Sequence, residues 1–349
     1  MTRCWALVYT TIFYGLGSLE ISGSIPARGE IVKGVVLDID GVLYRGGRIF
    51  KRTAEAMKLL QASKIPYVFV TNGGGQTESK KSTELARIIG VNVRPEQVIL
   101  AHTPFQKIAE EHKNQRVLIV GHEGCMEVAK SYGFTKVACV RDIHEENPSI
   151  YPHRKPINLP SSPEKGQPIE AILLFHDCLD WGLEMQIIFD VIVGRQQNTD
   201  QVLAIDESLQ QKIPFFTCNS DIVYASNHNY PRFTQGAFVE AFRSLFELTC
   251  GGEKLIVQSC GKPQKIQYEY ATESLNKESL LLGQGEVTRF YGVGDNPKSD
   301  IRGANNAGEQ WTSVLVRTGV FSGTDNCSTD PADYVVGDIL DAVNFIVGN

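Results

Sequence analysis

From residue 31 onward the chain alternates two patterns. Short apolar runs are followed by stretches where apolar residues return every three or four positions. Residues 31–39 (IVKGVVLDI) are rich in Val and Ile and stop at Asp-Gly, which predicts a strand. Residues 52–63 carry Ala54, Met57, Leu59 and Leu60 at helical spacing. Residues 67–71 (YVFVT) predict the next strand, stopped by Asn72 and three glycines. A helix follows over 77–89, with Thr77 placed to cap its start and Gly90 its end. Further strands are predicted at 117–120, 171–175, 214–217, 255–257, 289–293 and 313–316, and helices at 183–193, 238–248, 264–275 and 299–307. Strands that are continuously apolar, each followed by a helix, predict a parallel sheet buried on both faces, an α/β fold.

Length and composition refine this picture. At 349 residues the chain exceeds what one core usually fills, so two domains or a domain with a large insert are expected. The formal charge of -6 lacks the basic face that a phosphate backbone needs, so no nucleic-acid partner is expected. The eight cysteines are scattered singly without a C-x-x-C pair, which fits reduced core thiols rather than a zinc site or a disulfide framework. Residues 145–167 hold five prolines and few apolar clusters and predict an exposed excursion. The first thirty residues differ in character: Arg3 precedes an uncharged run from Cys4 to Leu19, too short and too polar for a membrane span. They are expected to form a leader or an unstructured segment outside the fold.

Three predicted strand ends carry polar residues, where ligands of open parallel sheets bind. They are Asp38-Ile39-Asp40-Gly41, Thr71-Asn72-Gly73-Gly74-Gly75, and Gly292-Val293-Gly294-Asp295-Asn296 with Asp300 one turn later. Gly261-Lys262-Pro263 opens a helix between the last two. Phosphoryl transfer needs a nucleophile, an acid/base, a cation and donors for the equatorial oxygens. Asp38 and Asp40 alternate on one extended end, so one can attack while the other moves protons. Thr71 with nearby backbone N–H groups can bind phosphate, Lys262 supplies positive charge, and Asp295 with Asp300 completes a hard oxygen site for Mg²⁺. Gly292-Val293-Gly294 begins a dinucleotide fingerprint, but Pro297 stands where its last glycine belongs. His102, His122, His176 and His228 lack an HExxH-type partner and are more simply solvated or structurally bonded.

Taken together, Asp38-x-Asp40-Gly-Val-Leu, Thr71-Asn72, Gly-Lys262-Pro and Gly-Asp295-Asn-x-x-Ser-Asp300 resemble the four ordered motifs of the haloacid dehalogenase-like (HAD) hydrolases. The wording is similar to the branch whose cap is inserted between the second motif and the lysine. Within it, TNGGG, VILAH, the Trp181 region and PRFTQGAF resemble the eukaryotic HAD-like hydrolase domain-containing group of the cat eye syndrome critical region type, over roughly residues 31–349. The resemblance implies a HAD-like Rossmannoid core at 31–103 and 256–349 and an α/β cap at 104–255. It implies Asp38 as nucleophile and metal ligand, and Asp40 as acid/base with its carbonyl on the metal. Thr71 then binds phosphoryl, Lys262 stabilises charge, Asp295 ligates Mg²⁺, and Asp300 supports the lysine or the metal's water shell. Asn72-Gly73-Gly74-Gly75 departs from small-cap phosphatases, which carry side-chain donors there, and leaves backbone donors instead. Asn72 and Gly73, with Asn219, Asp221 and His228 of the insert, are expected to bind substrate.

The expected activity is Mg²⁺-dependent hydrolysis of a small phosphate ester through an aspartyl-phosphate, with a family association to glycerophospholipid metabolism. Dehalogenation is the rival chemistry, and Asp40 counts against it because a carbon–halogen bond has no leaving oxygen to protonate. A binding protein on the inherited fold is the non-enzyme rival, against which stands the intact charged set. The resemblance points to mitochondria. Cytoplasmic placement, or secretion if residues 1–25 act as a signal peptide, are the alternatives. No stable membrane span is expected, and a homodimer is compatible with this reading.

Overall fold

The computed structural model describes residues 31–156, 164–195, 209–224, 226, 228–321 and 323–349. The leader expected at 1–30 lies outside the described residues. Two parallel sheets organise the rest. The first has six strands in the order Tyr334–Val336, Trp311–Val316, Arg289–Gly294, Lys33–Leu37, Tyr67–Val70 and Val98–Ile99. The second has five, in the order Val257–Ser259, Phe215–Thr217, Ala171–Leu174, Arg116–Val120 and Lys136–Cys139. All ladder pairs within both sheets are parallel, as continuous Val/Ile runs demand when helices cover both faces.

Local chemistry sets the helix ends that frame the first sheet. The Thr77 side chain accepts from the Lys80 N–H and starts the helix Glu78–Ile89, which Gly90 ends in the left-handed region at φ 73°. The same periodicity produces Thr53–Ala62, whose Ala56, Met57 and Leu60 are buried against the first sheet. In the second unit, Phe238, Phe242 and Phe246 recur every fourth residue along Gln235–Thr249 and are all fully buried. Burying each such ring contributes roughly 2–3 kcal/mol, which holds this helix on the second sheet.

Tertiary pairing moves some boundaries. The strand expected at 255–257 forms at Val257–Ser259 and pairs with Phe215–Thr217. It therefore belongs to the second sheet, and a division at 255/256 cuts off that sheet's last strand. The excursion expected at 145–167 starts inside the helix Val140–Glu146 and continues through a turn at Pro148–Ile150. Its residues 157–163 lie outside the described residues. The short helices Phe105–His112 and Gly124–Ser131 and the C-terminal helix Ile339–Gly348 were not legible in the pattern. Among the described residues no helix is long and apolar enough to cross a membrane.

Candidate active site

Three strands of the first sheet, Lys33–Leu37, Tyr67–Val70 and Arg289–Gly294, run parallel and end side by side. Their carboxyl ends deliver Asp38, Thr71 and Asp295 to one cavity of about 380 Å³. The register is tight there: the Asp38 N–H donates to the Val293 carbonyl at 2.9 Å. From the second sheet, the ends of Ala171–Leu174 and Phe215–Thr217 bring Phe175, Asp177, Asn219 and Asp221 to the opposite wall.

Lys262 sits at the centre and is buried. Its ammonium donates to Asp38 Oδ1 at 2.6 Å, to Asp300 Oδ1 at 2.6 Å and to the Val70 carbonyl at 2.9 Å. All three N–H donors are thereby engaged. Burial alone would lower the lysine's pKa, but the charges of Asp300 and Asp38 outweigh it and raise the value well above the usual one. Asp38 is likewise raised, chiefly by desolvation and despite Lys262. Desolvation and then the charge of Asp300 push Asp295 up to about 7.

Asp295 is held by the Val320 N–H at 2.6 Å, and Asp300 Oδ2 by the Asn296 N–H at 3.0 Å. The backbone must come close to these carboxylates. A Cβ on Gly41, which has φ 93°, would meet Asp295 Oδ2 at 2.4 Å, and one on Gly294 would meet the Asp300 Cβ at 2.1 Å. Carboxylate oxygens of Asp38, Asp295 and Asp300 all lie within 4.8 Å of one another. Three crowded, buried carboxylates sharing one ammonium are short of positive charge, and an all-oxygen set suits a hard divalent cation. The residues present therefore fit Mg²⁺. Asp40 contributes no side-chain oxygen to this group. Its carboxyl stands at the cavity mouth, raised by desolvation while the charge of Lys81 pulls the other way.

The other expected residues separate by role. Thr71 is buried, and its hydroxyl accepts from the Gly73 N–H at 2.9 Å, which shapes the glycine loop at the cavity floor. Asn72 lines the cavity, yet its amide is engaged within the protein. It accepts from the Lys262 N–H at 2.9 Å and donates to the Lys262 carbonyl at 3.1 Å and to Asp221 Oδ2 at 2.9 Å. Within the protein this amide staples the lysine's backbone and bridges to Asp221, while Asn72 keeps its place in the cavity lining. Asn219 also lines the cavity and accepts from the Asp221 N–H at 2.8 Å. His228 is the residue the structure leaves out. It is exposed, bonded to the backbone of Tyr230, and outside the cavity lining.

Sequence reasoning missed several neighbours. Gln235 Oε1 accepts from the Cys218 and Asn219 N–H groups at 3.0 and 2.9 Å and so fixes the loop that carries Asn219. Asp177 lines the cavity and accepts from the Thr234 hydroxyl at 2.7 Å. Thr234 and Gln235 lie within PRFTQGAF, so a signal was present without a role attached to it. His102, fully buried, accepts from the Gly75 N–H at 3.1 Å through Nε2, and its Nδ1 is 2.8 Å from the Tyr132 hydroxyl. It buttresses the glycine loop from behind.

An α/β core with an Asp38–Lys262–Asp300 triad, a facing Asp295 and an α/β insert over the sheet ends defines a hydrolase of the HAD class. Residues 35–135 match the family described as haloacid dehalogenase-like hydrolase, and residues 259–342 match a HAD-hydrolase-like family. A mitochondrial hydrolase of Saccharomyces cerevisiae is 34% identical over 334 residues, spanning 88% of this chain and 93% of that protein. A fusion protein of cardiolipin synthase (CMP-forming) and mitochondrial hydrolase from Schizosaccharomyces pombe is 34% identical over 314 residues, spanning 88% of this chain but 51% of that protein. Among solved structures, glycerol phosphate phosphatase from Mycobacterium tuberculosis in complex with magnesium superposes with a TM-score of 0.59 at 18% identity, over 89% of this chain and 75% of that one. The chain belongs to the haloacid dehalogenase-like hydrolases.

Proposed function

We propose that this chain is a Mg²⁺-dependent phosphomonoester hydrolase working through an aspartyl-phosphate on Asp38. The observation that carries the reading is the Lys262 ammonium, 2.6 Å from both Asp38 and Asp300, beside the buried Asp295. Asp38, Asp295 and Asp300 would hold the cation, with the Asp40 carbonyl. When bound, Mg²⁺ screens the phosphate charge from these carboxylates and polarises the phosphoryl group.

Lys262 holds Asp38 through Oδ1, which leaves Oδ2 to approach phosphorus in line with the leaving oxygen. An O–P bond forms to Asp38 while the P–O bond to the leaving group breaks, and protonated Asp40 gives its proton to the departing oxygen. Desolvation, which raises Asp40, favours that protonated form. Asp40, now a carboxylate, takes a proton from water as the water attacks phosphorus and the bond to Asp38 breaks, releasing phosphate. The Thr71 hydroxyl and the Gly73–Gly75 backbone would hold the equatorial oxygens.

The cavity of about 380 Å³ at the sheet ends supports a small phosphometabolite as substrate. The yeast relatives, a mitochondrial hydrolase and a fusion of cardiolipin synthase with a mitochondrial hydrolase, support placement in mitochondria and a link to glycerophospholipid metabolism. The test is phosphate release from a panel of phosphomonoesters. Activity should vanish in EDTA and return with Mg²⁺, and Asp38→Asn should lower turnover by at least about a thousandfold while melting like wild type. Full activity in chelator, or in a folded Asp38→Asn protein, would refute the mechanism.

A further inference from the structure

The charges lining the cavity do not balance, and the imbalance lies on the cap side. Six aspartates, Asp38, Asp40, Asp177, Asp221, Asp295 and Asp300, line it. Among the described lining residues Lys262 is the one lysine or arginine, and its three donors are engaged by Asp38, Asp300 and a backbone carbonyl. The phosphoryl chemistry uses four of the six. Asp38, Asp295 and Asp300 face the lysine and the cation, and Asp40 moves the proton. Asp177 and Asp221 remain, on the wall where the leaving group must lie.

Both are built into that wall. Asp221 Oδ2 accepts from the Asn72 amide at 2.9 Å and Oδ1 from the Asn296 amide at 3.4 Å. Asp177 Oδ1 accepts from the Thr234 hydroxyl at 2.7 Å. All these hydrogen-bond donors are neutral, so each carboxylate is oriented without a salt bridge; desolvation raises the Asp221 pKa, and Lys262 acts on it only through space. Other positive groups nearby are directed elsewhere. Lys81 is bonded to the Tyr44 hydroxyl at 2.9 Å, and Arg45 and Arg48 of the flanking hairpin are solvent-exposed and outside the lining. The internal segments outside the described residues, 157–163 and 196–208, contain no lysine or arginine. The rest of the leaving-group wall is Phe175, Val223, Tyr224, Ser226 and His176, and burial lowers the His176 pKa, which favours its neutral form against the pull of Asp177.

A leaving group bearing a carboxylate or a second phosphate would bring an anion against the half-buried Asp177 and Asp221 with no salt-bridging cation, and water screens that repulsion only in part. A hydroxyl or ammonium donor in the same place would find two oriented acceptors. We propose that the substrate is a phosphomonoester whose leaving group carries hydroxyl or ammonium donors and no second anion, selected by Asp177 and Asp221. This rests on the phosphatase reading above, which it narrows.

The experiment measures kcat/KM with Mg²⁺ for three esters of matched size, phosphoethanolamine, 2-hydroxyethyl phosphate and phosphoglycolate, alongside p-nitrophenyl phosphate. Phosphoglycolate should be slower than the other two by at least about tenfold. Asp221→Asn and Asp177→Asn, each checked by thermal melting, should narrow that ratio by raising phosphoglycolate relative to 2-hydroxyethyl phosphate. Because Asp177 has a single described side-chain bond, it serves if Asp221→Asn does not fold. Hydrolysis of p-nitrophenyl phosphate combined with an equal or higher kcat/KM for phosphoglycolate overturns the inference and leaves the phosphatase reading standing. An unchanged ratio in the folded variants overturns the assignment to these residues. Silence toward all four esters overturns the phosphatase reading and this inference with it.

Discussion

His102 offers a perturbation whose size follows from the structure. The side chain is fully buried behind the glycine loop, and its ring is held neutral between the Gly75 N–H and the Tyr132 hydroxyl. Burial, with smaller contributions from His176 and His122, lowers its pKa to about 3. An unfolded histidine titrates near 6.5. Because the folded value lies below the unfolded one, the unfolded chain binds more protons between them. The stability this group permits is therefore complete above about pH 6.5 and is lost as pH falls toward about 3. Between about pH 7.5 and about pH 5 the protonation ratio changes roughly thirtyfold, a loss of about 2 kcal/mol from this residue. His102→Gln keeps an acceptor for Gly75 and a donor for Tyr132 but cannot titrate. Urea unfolding of both proteins at the two pH values isolates the difference, since all other titrating groups are shared. The wild type should lose about 2 kcal/mol more than the variant over this interval. An equal pH dependence in the two proteins would refute the neutral, buried assignment and the buttress built on it.

Two further substitutions test the architecture of the site. Asn72→Ala removes three hydrogen bonds, two of them to the Lys262 backbone, and should cost about 2–4 kcal/mol in urea unfolding with a fall in kcat larger than the rise in KM. Gly75→Ala places a Cβ at φ 80°, 2.3 Å from His122 Nε2 and 2.6 Å from His176 Cδ2, and should lower stability by more than about 1 kcal/mol and reduce phosphate release. A Gly75→Ala protein as stable and active as wild type would show that the loop does not need this backbone conformation.

Much of the core was visible in the sequence because its signals are local. An apolar run that stops at a polar residue states both the strand and the end where a ligand binds, as at Asp38, Thr71 and Asp295. A threonine before a helical period and a glycine after it state the two caps of Glu78–Ile89. Each of these depends on residues only a few positions apart, so pattern alone determined them. Folding decided what depends on partners far along the chain. Nothing near Asn72 in the chain states that its amide meets Lys262, 190 residues away, and Asp221, 149 residues away. The strand Val257–Ser259 joined the second sheet because its free neighbour there was Phe215–Thr217, a pairing that its own three residues do not encode. Asp177 lay in no motif and Gln235 in one that carried no role, and both acquired roles only when Thr234 and the Asn219 loop were packed beside them. Hydrophobic periodicity specifies which face of an element is buried. It does not specify which buried or seam-facing polar groups will satisfy one another, because that is set by where the two sheets bring their ends together.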